Sequence, residues 1–161
     1  MSKKDDVERI INREICIDFS MIVGKVRSVL FDKDFIVFSI LFGSYARGKI
    51  FNLSDVDVAI YTNRKLELLE YGYIISELEM QLQKEVDLIV LNDLFKKNPS
   101  LAFEIMKEGK LIFCKDKEKY LEYKKRTFLY YMDTEYLRRM VHESIIDKIS
   151  KWDEEHERKN T

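Results

Sequence analysis

Proline and glycine are scarce in this chain: one proline, Pro99, and five glycines among 161 residues. No Ser/Gly-rich linker, internal repeat or low-complexity segment interrupts the sequence, so nothing marks a domain boundary. A single domain over residues 1–161 is expected. Cysteine is equally sparse. Cys16 and Cys114 have neither CxxC nor zinc-ligand spacing, which excludes a disulfide scaffold and a zinc site; they read as small core residues in a reducing compartment. The most hydrophobic stretch, FIVFSILFG at 35–43, is far shorter than a bilayer requires. The start, MSKKDDVERII, lacks the apolar run of a signal peptide, and a cytoplasmic protein is expected. Excess charge is missing too: 28 Lys and Arg stand against 29 Asp and Glu. A duplex-binding domain carries a clear basic surplus, so direct nucleic-acid binding is not expected. Lys96-Lys97 and Lys124-Lys125-Arg126 read as solvated helix faces.

What the chain does contain is a core. Hydrophobic residues make up 46% of it, and a chain of this size buries roughly two thirds of its unfolded surface without disulfide or metal. Apolar residues Val7, Ile10, Ile11, Ile15, Phe19, Ile22 and Val26 recur at steps of three and four, predicting an amphipathic helix over about 5–31. Residues 36–42 and 56–62 read as buried strands, and a helix over about 65–82 carries Leu66, Leu69, Tyr73, Ile74 and Leu78 on one stripe. EVDLIVL at 85–91 is a third strand, about 92–108 is helical around Pro99, and KLIFC at 110–114 is a candidate fourth strand. Helix follows from about 116, with a break expected near MDT at 132–134. The fold class is therefore α+β, close to α/β: a small mixed sheet flanked by helices.

The chemistry is concentrated in LFGSYARGKIFNLSDVDVAIY, residues 41–61. A strand ending in Gly43-Ser44 and followed by a short helix points free N–H groups at one spot, and Gly43 allows close approach to the backbone. Ser44 can cap the helix or offer its hydroxyl to a phosphate oxygen. Arg47, three residues on, shares that helical face and presents a planar fork suited to phosphate. An ordinary turn with a capping serine would look the same, so the acids decide. In a strand Asp55 and Asp57 project to one side, about 7 Å apart at Cα, while Val56, Val58 and Ile60 fill the other. The third strand repeats the scheme with Asp87. If the strands pair in register, the three carboxylates meet at one end of a buried sheet. Like charges about 5 Å apart repel by roughly 3 kcal/mol at an effective dielectric near 20, so the trio calls for a cation. Oxygen-only ligands suit Mg²⁺, which keeps waters and takes substrate phosphates.

A G-S pair, ten residues, a D-x-D and a later strand aspartate together resemble the DNA-polymerase-β-type nucleotidyltransferase superfamily over about residues 35–92. The GSYARG…SDVDVAIY form is most similar to the minimal nucleotidyltransferases, and among them to the MntA-type antitoxins that pair with HEPN-type ribonuclease toxins. YYMDTEYLRRM, in the helical segment at about 116–158, resembles the C-terminal helix of the MntA type. The resemblance implies that Gly43 and Ser44 bind nucleotide phosphate and that Arg47 contacts the triphosphate. It implies that Asp55 and Asp57 bridge two Mg²⁺ ions, and that Asp87 holds the catalytic ion and orients the attacking hydroxyl. It also implies transfer of AMP from ATP to a tyrosine of a HEPN-type toxin. Two alternatives stay open: nucleotidyl transfer to a small molecule such as an aminoglycoside, and an antitoxin that neutralises its partner by binding alone.

Other residues have blander readings. His142 and His156 face solvent, and FLYY at 128–131 is core packing rather than a base-stacking platform. Leu137, Met140, Val141, Ile145 and Ile149 form a helical stripe that either packs on its own domain or meets a partner helix.

Overall fold

The computed structural model describes residues 19–48 and 54–159, with side chains described except at 150 and from 152 onward. Four strands form one mixed sheet: β1 (Ile36–Phe42), β2 (Val56–Thr62), β3 (Val86–Val90) and β4 (Lys110–Cys114), in the order β3-β2-β1-β4. β1 runs antiparallel to both β2 and β4, whereas β2 and β3 are parallel. Helices α1 (19–30), α2 (Gly43–Ala46), α3 (Leu68–Leu82), α4 (Leu94–Lys97), α5 (Pro99–Glu108) and α6 (Lys117–Lys159) complete the described residues. All four predicted strands are present, three of them with the expected bounds. The part of the first predicted helix before residue 19, and Cys16 with it, lies outside the described residues.

Each face of the sheet has its own core. On one face α1 and α3 lay Ile22, Val26, Leu30, Ile74, Leu78 and Leu82 over Val56, Val58, Ile60 and Leu88. On the other, α4, α5 and α6 lay Phe95, Ala102, Ile105, Met106 and Tyr123 over Phe38, Ile40 and Ala59. Strand alternation therefore sends Val56, Val58 and Ile60 to the α1/α3 side, and Asp57, between them, to the α5 side.

Three helical expectations need correction. Leu69 and Tyr73 are 85% and 62% exposed. Ile74 and Leu78 of the expected stripe are buried, joined by Leu82 rather than by Leu69 and Tyr73, because the sheet chooses which side of the helix it covers. The helix expected over 92–108 is two helices. Pro99 excludes the α region for the residue before it, and Asn98 adopts φ −141°, ψ 80° while its side chain accepts the Leu101 N–H to cap α5. Conversely, α6 runs unbroken through 132–134. No glycine or proline stands there, and the Thr134 hydroxyl folds back onto the Tyr130 carbonyl at 2.7 Å while Arg138 donates to the Tyr131 carbonyl at 2.7 Å. Phe128 and Tyr130 pack against the second core and Tyr131 stacks on Phe103, as expected of an aromatic packing cluster. Beyond them Leu137, Met140, Val141, Ile145 and Ile149 are all at least half exposed, so this stripe does not pack on the described body. His142 is exposed as well. The side chains of His156 and Trp152 lie outside the described set. Burial pushes the Cys114 thiol up, which keeps it protonated and unreactive. No described helix is long and apolar enough to cross a membrane.

Gly109 locks α5 to the sheet. A Cβ there would stand 2.4 Å from both the Ile105 carbonyl oxygen and Ile40 Cγ2, so only glycine lets the end of α5 meet β1. Gly109→Ala should lower stability by about 2 kcal/mol, as overpacking commonly does, which for this size is a Tm fall of roughly 4–8 °C. A thermal melt followed by circular dichroism measures it; an unchanged Tm would mean that α5 does not bear on β1 this way.

Candidate nucleotide site

The turn after β1 begins with a backbone that only glycine adopts easily. Gly43 has φ +69°, in the left-handed region. A Cβ at Gly43 would lie 2.1 Å from Asp57 Oδ2 and 2.8 Å from Asp57 Cγ. Antiparallel pairing sets Phe42 opposite Asp57, so the Asp57 carboxylate rests directly against the Gly43 backbone. Gly43 is expected to admit a ligand to the backbone; in the structure its close neighbour is the protein's own carboxylate. Ser44 lies inside α2 rather than at its N-cap, which is Phe42 and carries no side-chain cap. That removes the capping reading and leaves its hydroxyl beside the cleft. Arg47 closes α2, its N–H bonded to the Gly43 carbonyl at 3.2 Å.

The acids come from two strands. Parallel pairing places Asp57 directly beside Asp87, and Asp55 stands exposed just ahead of β2. Strand β3 is held at this register from its outer edge by α3. The Tyr71 hydroxyl donates to the Leu88 carbonyl, and Glu79 accepts the Val86 N–H at 3.4 Å. Burial, then the Asp87 and Asp55 charges, raise the Asp57 pKa, and Arg47 opposes them. The Tyr71 hydroxyl is likewise raised, by burial and by Asp87. These shifts are the electrostatic signature of gathered carboxylates with one cation nearby.

Gly43, Ser44, Arg47 and Asp57 line one cavity of about 360 Å³, whose far wall is α5 through Leu101, Glu104, Ile105 and Glu108. That volume falls in the range of small-molecule clefts. The two wall acids were missed from sequence. Their signal was available, since residues 101, 104, 105 and 108 share one helical face, but such a mixed face also describes an ordinary surface helix. Arg47 Nε lies 3.5 Å from Glu108 Oε2 across the cleft.

The sequence model of the family described as Polymerase beta, Nucleotidyltransferase matches residues 24–118, more than half of the chain and all of the sheet. The chain belongs to this nucleotidyltransferase family. A search of curated proteins found no match. Solved structures match over most of the chain. A toxin–antitoxin structure with AMP-PNP is 21% identical with a TM-score of 0.69, covering 77% of this chain and 98% of the other. A structure of a tri-AMPylated Shewanella oneidensis HEPN toxin in complex with its MNT antitoxin is 19% identical with a TM-score of 0.65, over 80% and 98%. The toxin–antitoxin pair MntA–HepT gives 18%, 0.64, 79% and 98%. At these identities the likeness is one of fold, and the α+β nucleotidyltransferase architecture is common to them all.

Among the described residues no three Asp, Glu, His or Cys side chains converge closely enough to hold an ion unaided. Asp57 and Asp87 adjoin with Asp55 near the same strand end, an open array of oxygen donors. Such an array suits Mg²⁺, which keeps several waters and completes its shell with substrate phosphates.

Proposed function

We propose that this nucleotidyltransferase uses ATP, transfers AMP to a tyrosine hydroxyl of a HEPN-type ribonuclease toxin, and so acts as that toxin's antitoxin. The observation that carries the nucleotide reading is Asp57, paired in register with Asp87, on the wall of a cavity that Gly43, Ser44 and Arg47 also line. The AMP-PNP and tri-AMPylated complexes that share the fold support the choice of ATP and of the acceptor. Gly43, Ser44 and Arg47 receive the triphosphate, Arg47 through charge-assisted hydrogen bonds. Asp55, Asp57 and Asp87 would hold Mg²⁺, which when bound offsets phosphate charge. Asp87, on the exposed strand edge, accepts the hydrogen bond of the incoming tyrosine hydroxyl and aims its oxygen at the α-phosphorus. A free tyrosine, with a pKa near 10, is a poor nucleophile at neutral pH, so this orientation matters. The bond from tyrosine oxygen to the α-phosphorus forms as the bridge to the β-phosphate breaks, releasing pyrophosphate and one proton.

The test is intact-mass spectrometry of the protein co-purified with the product of the adjacent reading frame, incubated with ATP and Mg²⁺. The partner should gain whole adenylyl groups on tyrosine. Neutralisation of the partner with no mass gain would identify masking by binding. Nucleotide consumption that requires an aminoglycoside would move the acceptor to small molecules.

A further inference from the structure

We infer that Glu108 is a positioning residue for nucleotide binding, acting through Arg47; the inference rests on the nucleotidyl-transfer reading above. Arg47 hangs from the end of the four-residue helix α2, where an unsupported side chain would sample many rotamers. Across the cleft Glu108 ends α5, and that end is fixed because Gly109 abuts Ile40 in the middle of β1. β1 itself leads straight into Gly43 and α2. The two partners are therefore anchored to the same strand on opposite sides of the cavity. Their separation is set by the fold.

The atoms involved give the contact its consequence. Glu108 faces the guanidinium through Nε, which leaves the edge formed by Nη1 and Nη2, with four further N–H donors, for a bidentate phosphate. No other described side chain is in hydrogen-bond or ion-pair contact with that edge. Arg47, the wall acid Glu108 and the floor acid Asp57 line the same cavity. Holding it by Nε preorganises the fork before nucleotide arrives and reduces the side-chain entropy lost on binding. Both partners are about half exposed, so the ion pair adds little to fold stability. Its effect belongs to the ligand.

A rival account predicts the opposite sign. Glu108 could merely repel triphosphate or compete for Arg47, in which case its removal would tighten binding. Equilibrium binding of a fluorescent ATP analogue with Mg²⁺, together with KM and kcat for transfer to the partner, separates the two. Glu108→Ala should weaken binding and raise KM about fivefold, with kcat within twofold and an unchanged melt. Glu108→Gln, which keeps the side chain's length and a polar oxygen while removing its charge, should recover part of the loss. In an Arg47→Ala background, where binding is already about tenfold weaker, Glu108→Ala should add nothing, because its effect passes through Arg47. Tighter binding by Glu108→Ala in either background would overturn the inference, and so would additive losses. Failure of the unmodified protein to bind the analogue would instead remove the nucleotide reading itself.

Discussion

Asp57→Asn should abolish nucleotidyl transfer, by at least a thousandfold, and yet make the protein more stable at pH 7. Both effects arise from one crowded carboxylate. Asp57 adjoins Asp87, is partly buried, and has its pKa raised by burial and by two like charges. A group whose folded pKa lies above its unfolded value costs stability wherever it must be ionised in the native state. The cost is full above the raised pKa and vanishes below the unfolded value near 3.9. Removing the charge should therefore stabilise by about 1 kcal/mol at neutral pH, after discounting for the water that reaches the site. The Tm gain over the parent should be roughly 2–4 °C, and it should fade on acidification through Asp57's raised pKa. Thermal melts of both proteins from pH 7 down to 4, alongside transfer assays at saturating Mg²⁺, test both halves. Retained turnover would remove Asp57 from the chemistry. A gain that did not change with pH would refute the charge-crowding account.

Gly43→Ala should be nearly as damaging to transfer, by about a hundredfold or more, and unlike Asp57→Asn it should destabilise. An added Cβ meets Asp57 Oδ2 at 2.1 Å, so the carboxylate must swing away from the turn. The left-handed backbone adds its own penalty of about 1 kcal/mol for any residue with a Cβ. A double-mutant cycle divides the two terms. In an Asp57→Ala background the carboxylate clash is gone and only the Cβ at 3.2 Å remains, so Gly43→Ala should cost little beyond the backbone term. Chemical denaturation of the four proteins gives the coupling. Equal costs in both backgrounds would show that Gly43 does not seat Asp57.

Individual residues show why some of this was readable from sequence. Strands β1, β2 and β4 were legible with their bounds because short, largely apolar runs and the turns that flank them are local properties. The DxD at 55–57 announced itself by setting acids at the head of an apolar strand, a pattern without a local rationale. Pro99 was legible as a perturbation, although its consequence, two helices meeting at a capped Asn98, was not. The supposed break at 132–134 failed in the other direction. Met-Asp-Thr has modest helix propensity, but packing of Phe128, Tyr130 and Tyr131 on one side and the Thr134–Arg138 contacts carry the helix through.

By itself the sequence determined the α+β class, the strand segments and the two motifs, because each depends on residues within about ten positions of one another. Only the tertiary structure decided which side of α3 is buried, that Asp57 stands beside Asp87, that Gly43 makes room for a carboxylate, and that Glu108 faces Arg47. Register, helix rotation and contacts between residues 61 positions apart are set by how whole faces pack together. A local pattern restricts those arrangements without choosing among them.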